Sequence, residues 1–289
     1  MSDPLAPELL VPPTPGQLRR LMGAERLRPR KSLSQNFLTD PETLDAIVAA
    51  AELEAGDNVV EIGPGLGVLT RRLLAAGASV TAVEVDPRLA EYLRRELYGV
   101  DTFELIEADA LSLHPREFFP DQPMKVVANI PYHITSPLLH TFLEGDRPPM
   151  LTVLLVQLEV AQRVAAPPGQ MSYLSVFAQN VAEAEVVARI RASAFEPTPA
   201  VDSAILRLRR REAPAVPVGD GRDPFYRVVQ AGFRQRRKQV HNGLTRELPV
   251  ERDEVEAALD ACGVDPERRP QTLSVDEWRC LTDQIGLTA

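Results

Sequence analysis

Hydrophobic and polar positions follow two periods along this chain. From Asn58 onwards, short and mostly apolar runs occur at Val59–Ile62, Ser79–Val85, Phe103–Glu107, Met124–Asn129 and Leu151–Val156. Their length and apolar content predict buried strands. Between them apolar residues recur every three or four positions, which predicts helices over Leu66–Ala76, closed by Gly77, and over Pro87–Tyr98. Upstream, Asp40 and Pro41 stand as N-cap and first helical residue before Leu44, Ile47, Val48 and Ala51 on one face. Strands alternating with helices predict an α/β fold, a parallel sheet with helices on both faces. After Ser175 two strands, Ala184–Arg191 and Asp202–Leu208, follow each other with no helix between, the pattern of an antiparallel edge.

The texture changes near Arg211. Residues 213–223 are rich in Pro and Gly and predict a linker. Beyond it the pattern is helical: Pro224–Leu244, Arg252–Cys262 and Val275–Ile285. Residues 1–16 carry Pro4, Pro7, Pro12, Pro13 and Pro15 and predict an extended leader. The expected organisation is therefore a leader (1–16), an α/β domain (17–212), a linker (213–223) and a helical C-terminal domain (224–289).

Composition narrows the class. The 289 residues are 44% hydrophobic and 25% charged, ordinary globular usage with enough apolar material for a sizeable core. No run approaches the roughly 20 apolar residues of a membrane span, and no signal-peptide pattern is visible, so a cytoplasmic protein with no membrane partner is expected. Cys262 and Cys280 are too few for a disulfide framework or a four-cysteine zinc site and read as two small residues in a helical tail, in a reducing compartment. The net charge of −9 argues against a nucleic-acid partner, but its distribution argues back. Between Gln17 and Asn36 stand Arg19, Arg20, Arg26, Arg28, Arg30 and Lys31 against one acid, Glu25. Between Phe233 and Asn242 stand Arg234, Arg236, Arg237 and Lys238 with no acid. Local clusters of this kind suit phosphate. Arg234, Arg237, Lys238 and His241 would fall on one face of a continuous helix.

Four short motifs carry candidate chemistry. Glu61-Ile62-Gly63-Pro64-Gly65-Leu66-Gly67 ends the first strand and opens a helix. Glycines there permit a tight turn and close approach of a ligand, and Val68 in the last fingerprint position departs from the dinucleotide pattern. Glu84 ends the next strand about twenty residues on, where an acid can hold ribose hydroxyls, and nearby Asp86 reads as a helix cap before Pro87. Asp109 follows the third strand and could accept from an adenine amine. Asn129-Ile130-Pro131-Tyr132 ends the fourth. The Asn129 side chain and a backbone carbonyl at Pro131 can accept from an exocyclic amine, and the Tyr132 ring can stack on a base taken out of its stack. His114, His133, His140 and His241 show no ligand spacing, and no metal is implied.

These motifs join others in a fixed order: Lys31-Ser32-Leu33-Ser34-Gln35-Asn36-Phe37-Leu38 before the glycines, Val156–Arg163 after the Asn129 motif, then Phe195-Glu196-Pro197-Thr198-Pro199-Ala200-Val201-Asp202-Ser203-Ala204, Phe233–Lys238 and Arg268–Ser274. The ordered set, from about Arg30 to Leu281, closely resembles the bacterial small-subunit rRNA adenine dimethyltransferases of the kasugamycin-sensitivity family. The resemblance implies a Rossmann-like class I methyltransferase sheet with a small all-helical C-terminal domain. It implies S-adenosyl-L-methionine as methyl donor and two adjacent adenines in the 3′-terminal hairpin loop of 16S rRNA as target, within a 30S or pre-30S particle, with a role in small-subunit biogenesis. Cofactor contacts would fall on Asn36, Leu38, Gly63, Gly65, Glu84, Asp109 and Asn129. Asn129, Pro131 and Tyr132 would hold the adenine, with Phe195 stacked opposite Tyr132. Arg234, Arg237 and Lys238 would meet RNA held in a cleft between the domains, and a monomer is the default. Ser34, His133, Leu158 and Gly243 depart from the family's usual residues, the last two at positions expected to touch RNA. The rivals are a 23S enzyme of the macrolide-resistance type, a noncatalytic RNA-binding factor on the same fold, and a small-molecule methyltransferase.

Overall fold

The structure, a computed structural model, describes residues 14–25, 27, 29–30, 33, 35–113, 115–119, 122–143, 148–212 and 224–287. The leader up to residue 13, Arg26, Arg28, Lys31, His114 and the 213–223 linker lie outside the described residues, as does the side chain of His133.

Helix α1, Pro15–Ala24, starts at a capping box made by Thr14 and Gln17. A two-residue strand β1, Phe37–Leu38, leads to α2, Pro41–Ala50, where Asp40 accepts from the backbone of Thr43 and Pro41 sits in the first turn. Strands and helices then alternate: β2 (Asn58–Ile62), α3 (Val68–Ala75), β3 (Ser79–Glu84), α4 (Pro87–Glu96), β4 (Phe103–Glu107), a short α5 (Pro115–Phe118), β5 (Lys125–Asn129), α6 (Thr135–Leu143), β6 (Leu151–Gln157) and α7 (Leu158–Val164). Helix α8 (Tyr173–Val181) runs straight into β7 (Ala182–Ile190), followed by a two-residue β8 (Phe195–Glu196) and β9 (Ser203–Arg210). Helices α9 (Pro224–Arg234), α10 (Val240–Glu247), α11 (Arg252–Ala261) and α12 (Val275–Ile285) complete the described chain.

Seven strands form one sheet in the order β4-β3-β2-β5-β6-β9-β7. The pairs β2–β3, β3–β4, β2–β5 and β5–β6 are parallel. The chain winds outward from β2 through β3 to β4, then returns to lay β5 on the other side of β2. Ligands of open α/β sheets bind where the order reverses, at the carboxyl ends of the strands. Here that place lies between β2, which ends at Ile62 just before the glycines, and β5, which ends at Asn129. Beneath it Ile47, Val59, Leu73, Leu93, Val127 and Val153 belong to one buried cluster.

Contacts divide the chain into two units. One comprises Met1–Phe142, Pro149–Ala161 and Glu185–Leu208; the other comprises Leu143–Pro148, Gln162–Ala184 and Arg209–Ala289. This differs from a single boundary at the linker, because α8 packs with the C-terminal helices. The Phe177 and Tyr226 rings lie 5.2 Å apart, and Asn180 Nδ2 donates to Tyr226 Oη at 3.2 Å. Within the helical unit α9 and α10 approach closely at two glycines. A Cβ on Gly232 would stand 2.4 Å from the buried Trp278 ring, and one on Gly243 would stand 3.2 Å from the Gly232 carbonyl. Gly243 thus serves helix packing, in a buried contact.

Two expectations are corrected in this unit. Cys262 and Cys280 are not separate: they form a disulfide that joins the end of α11 to α12, with Cα atoms 5.8 Å apart. Counting cysteines could not show that the two helices bring them together. The helix expected over Pro224–Leu244 is interrupted, since α9 ends at Arg234 and α10 begins at Val240.

Candidate active site

The switch point carries a pocket lined by the glycine loop, residues 35–38, the ends of β3 and β4, and Asn129 to Tyr132. The loop is built for close packing. Gly65 has φ of 60° and a Cβ there would meet the Phe37 ring at 3.1 Å; Gly67 has φ of 72° and a Cβ there would meet Arg71 Nη1 at 2.7 Å. Arg71, itself buried, donates to the carbonyls of Leu66 and Gly67, both at 3.1 Å, and so holds the loop from below. A Cβ on Gly63 would lie 3.9 Å from the Asn129 carbonyl, which places the glycine and Asn129 motifs side by side.

Glu84 is buried at the end of β3, where Oε2 accepts from Gly65 N at 3.2 Å and Oε1 from Asp86 N at 2.9 Å. Burial pushes its carboxyl above the ordinary range, against these backbone donors. A carboxylate offers about four lone-pair sites, so two backbone bonds leave capacity for a diol. Asp109 is exposed at the pocket rim, its Oδ1 accepting from Leu111 N at 3.0 Å as the cap of a short helical turn. Leu38 and Asn36 also line the pocket; Leu38 is buried and its backbone is committed to β8.

At the end of β5, Asn129 Nδ2 donates to the carbonyl of Asn36 at 3.2 Å. The Pro131 carbonyl accepts from Ile134 N at 3.1 Å, using one of its two lone pairs. Tyr132 Oη and Ser203 Oγ share a hydrogen bond of 2.8 Å, and burial pushes the phenol above its ordinary value. Ser203 belongs to the Phe195–Ala204 motif, so that motif does reach the site, though not through Phe195. The Phe195 ring is 2% exposed, packs in the core cluster with Phe37, Leu38 and Ile47, and is not among the residues lining this pocket. An aromatic residue before Glu-Pro has the same pattern whether it stacks on a base or fills a core.

Two groups escaped the sequence reading. Glu61 lines the pocket from β2, fully buried, and burial, with the Glu84 carboxylate adding to it, pushes its carboxyl up to about 8. Its Oε2 has no hydrogen-bond partner within bonding geometry among the described residues. The signal was an acid in an otherwise apolar strand. Gln35 is the second, bonded to Asp86. Among the described residues that line the pocket, the ionisable side chains that carry or can carry charge near neutral pH are Glu61, Glu84 and Asp109, all acids. Such a lining suits a cationic ligand and opposes a pyrophosphate.

In the helical unit, Arg234 is 60% exposed and paired with Glu247 at 2.8 Å. Arg236, Arg237 and Lys238 are exposed in the turn between α9 and α10, and no ion pair holds them among the described residues. The helical-face grouping is therefore replaced by a basic turn. His241 is taken up with the Pro266 carbonyl, 3.3 Å from Nδ1.

The ribosomal RNA adenine dimethylase model matches residues 26–285. The chain is 38% identical over 272 residues to ribosomal RNA small subunit methyltransferase A of Dehalococcoides mccartyi, covering 94% of this chain and 93% of that protein. It is 41% identical over 290 residues to the protein of that name in Pelotomaculum thermopropionicum, covering 96% and 98%. Among solved structures, 23S rRNA methyltransferase ErmE is 36% identical with a TM-score of 0.69, covering 87% of this chain and 100% of that one. A dimethyladenosine transferase from Plasmodium falciparum is 26% identical with a TM-score of 0.72, covering 85% and 95%. With a class I methyltransferase sheet, a cation-suited pocket at its switch point and a match over nearly its full length, the chain belongs to the ribosomal RNA adenine dimethylase family.

Proposed function

We propose that this protein transfers methyl groups from S-adenosyl-L-methionine to the exocyclic amines of two adjacent adenines in the 3′-terminal hairpin loop of 16S rRNA, acting as a cytoplasmic monomer on a 30S or pre-30S particle. The small-subunit target is supported by the names of the full-length relatives. The observation that carries the chemistry is the pinned amide of Asn129: with Nδ2 on the Asn36 carbonyl, Oδ1 is the end left to accept an amine proton.

The acidic lining fits the cofactor, whose sulfonium supplies an electrophilic methyl group. Glu84 would hold the ribose hydroxyls and Asp109 the adenine amine, with the glycine loop and residues 36–38 closing around the rest. The chain's own part in transfer is to position the target. Asn129 Oδ1 and the second lone pair of the Pro131 carbonyl accept the two amine protons and draw the nitrogen lone pair out of conjugation. Tyr132, fixed by Ser203, offers its ring face to the base. Acceleration then comes from orientation and fixed dipoles. The transferred-to nitrogen becomes a strongly acidic ammonium and sheds its proton to water. The basic turn, Arg236 to Lys238, supplies phosphate contacts, with Arg234 joining if Glu247 releases it.

Labelled methyl donor incubated with unmethylated 30S particles, 50S particles and free nucleosides tests the assignment. Label confined to N6 of two neighbouring adenines in 16S rRNA supports it. Label on 23S rRNA, as the similarity to ErmE would suggest, or on free nucleosides, overturns it.

A further inference from the structure

The sequence offers Asp86 only as a helix cap, and the structure gives it a second set of bonds. Its side chain is 0% exposed. Arg88 grips it through Nε at 3.1 Å and Nη2 at 2.7 Å, and the Arg88 backbone donates at 3.1 Å as a cap requires. From the other side come Gln35 Nε2 at 3.3 Å and Arg30 Nη1 at 3.5 Å. Against the upward push of burial, Arg88 and Gln35 hold the carboxyl below its ordinary value. The Asp86 backbone N–H is the donor to Glu84 Oε1.

Gln35 uses both ends of its amide. While Nε2 reaches Asp86, Oε1 accepts from Arg30 N at 2.8 Å, and the backbone N–H groups of Leu33 and Gln35 close back on the Arg30 carbonyl at 3.1 and 3.4 Å. The next residue is Asn36, whose carbonyl receives Asn129 Nδ2. Then comes β1, where Phe37 and Leu38 pair with Glu196 and Phe195. The Asn36 carbonyl is thus suspended between two anchors, Gln35–Asp86 on one side and the β1–β8 ladder on the other.

We propose that Gln35 and Asp86 are positioning residues for methyl transfer: their bond sets the Asn36 carbonyl, which orients the Asn129 amide. The proposal rests on Asn129 being the amine acceptor. The terminal torsion of Asn is soft and roughly two-fold. Without a fixed acceptor the amide can turn over and present NH2 to the substrate's NH2, a donor against a donor. Because Asp86 also donates to Glu84, the ribose-side acid and the amine-accepting amide share one frame.

Single-turnover methyl transfer at saturating cofactor and RNA, with cofactor affinity measured separately by calorimetry, tests this. Gln35→Glu sets a second carboxylate against Asp86 and should slow transfer about tenfold to a hundredfold, the scale of a small misplacement of a reacting group. Adding Asp86→Asn removes that repulsion and keeps a good helix cap, but its NH2 would face Arg88 Nη2, which shares the Asp86 oxygen with Gln35, so the rate should recover only in part. A role in fold stability alone would leave the saturated rate of the folded protein unaltered, the fold being checked by circular dichroism. Gln35→Leu, which adds no charge, carries the same test if Gln35→Glu does not fold. Combined with Asn129→Ala, Gln35→Leu should slow transfer no further than Asn129→Ala does alone. Unaltered transfer in the Gln35 variants, or losses that add to those of Asn129→Ala, would overturn the positioning role while leaving Asn129 in place. Unaltered transfer in Asn129→Ala would overturn the assignment of Asn129 itself, and the positioning role with it.

Discussion

Asn129 Nδ2 donates to the backbone carbonyl of Asn36 at 3.2 Å, joining residues 93 positions apart. A carbonyl only accepts, so the contact decides which end of the amide faces which way. Tyr132 is held in like manner by Ser203, 71 positions along the chain. Two groups proposed to hold the adenine are therefore fixed by partners from distant segments, as a preorganised site requires.

Removing the acceptor should remove the rate. Asn129→Ala is expected to slow the single-turnover methyl-transfer step by roughly 10²-fold or more at saturating cofactor, the scale of one well-aimed polar contact in a transition state. The rate should also be nearly flat from about pH 7 to 9, because no side chain is asked to act as a base. Tyr132 is kept neutral across that range by burial. A log-linear rise of rate with pH would show that a titrating group is required.

Glu84, proposed to hold the cofactor ribose, is tied to the glycine loop by the bond that Oε2 accepts from Gly65 N. Glu84→Gln loses the charge and sets its NH2 against one of the two backbone N–H donors, and should weaken cofactor binding by at least roughly 1.5–3 kcal/mol, tenfold or more, the range for a charge-assisted hydrogen bond. Calorimetry, with circular dichroism to confirm the fold, measures it. Unchanged affinity would take Glu84 out of the site.

Replacing Arg236, Arg237 and Lys238 together by Gln should weaken RNA binding and reduce the slope of log affinity against log salt, since fewer counterions are released. Cofactor affinity should be unaffected. Arg234→Gln alone should have the smaller effect, because that cation is already engaged by Glu247. Equal RNA affinity for the triple variant at low salt would mean the turn is merely solvated.

Period and motif order made the sheet legible. The apolar runs mark β2 to β6, and the Asp40-Pro41 and Asp86-Pro87 pairs mark the starts of α2 and α4. The contents of the pocket were legible where a motif lies at a strand end, as Glu84 and Asn129 do. What stayed hidden depends on packing across the chain. Phe195 has a stacking ring's neighbours in sequence and a core ring's neighbours in space. The break between α9 and α10 carries Gln, Arg and Lys, good helix formers, so propensity alone reads through it. The burial of Glu61 follows from elements that close over β2 only after folding.

The helical unit should be sensitive to one methyl group. A Cβ on Gly232 would stand 2.4 Å from the Trp278 ring and 3.1 Å from a second ring atom. Trp278 is fully buried and the Phe233 ring lies 5.7 Å from it, so the indole has little room to retreat. Gly232→Ala should destabilise by about 1–3 kcal/mol, the usual result of overpacking, despite alanine's better helix propensity. Chemical denaturation followed by tryptophan fluorescence reads this directly, Trp278 being the sole tryptophan. A stability gain would mean that the α9–α12 contact yields.

Glu61 should make stability depend on pH. Its carboxyl titrates at about 8 in the folded chain against an ordinary 4.5. Between those values the folded state keeps a proton that the unfolded chain has released. Folding is then favoured by acid: the contribution is fully present below about pH 4.5 and is lost as pH rises through about 8. In the absence of cofactor, stability should decline across that window by up to roughly 1.4 kcal/mol per pH unit, the free-energy equivalent of one proton. Glu61→Gln, which keeps the shape and removes the titration, should flatten the slope. A cation in the pocket favours the charged carboxylate, so cofactor binding near neutral pH should release a proton, seen as a buffer-dependent heat in calorimetry. That heat should vanish in Glu61→Gln. A pH slope and a buffer dependence identical in both proteins would show that Glu61 is already ionised at neutral pH.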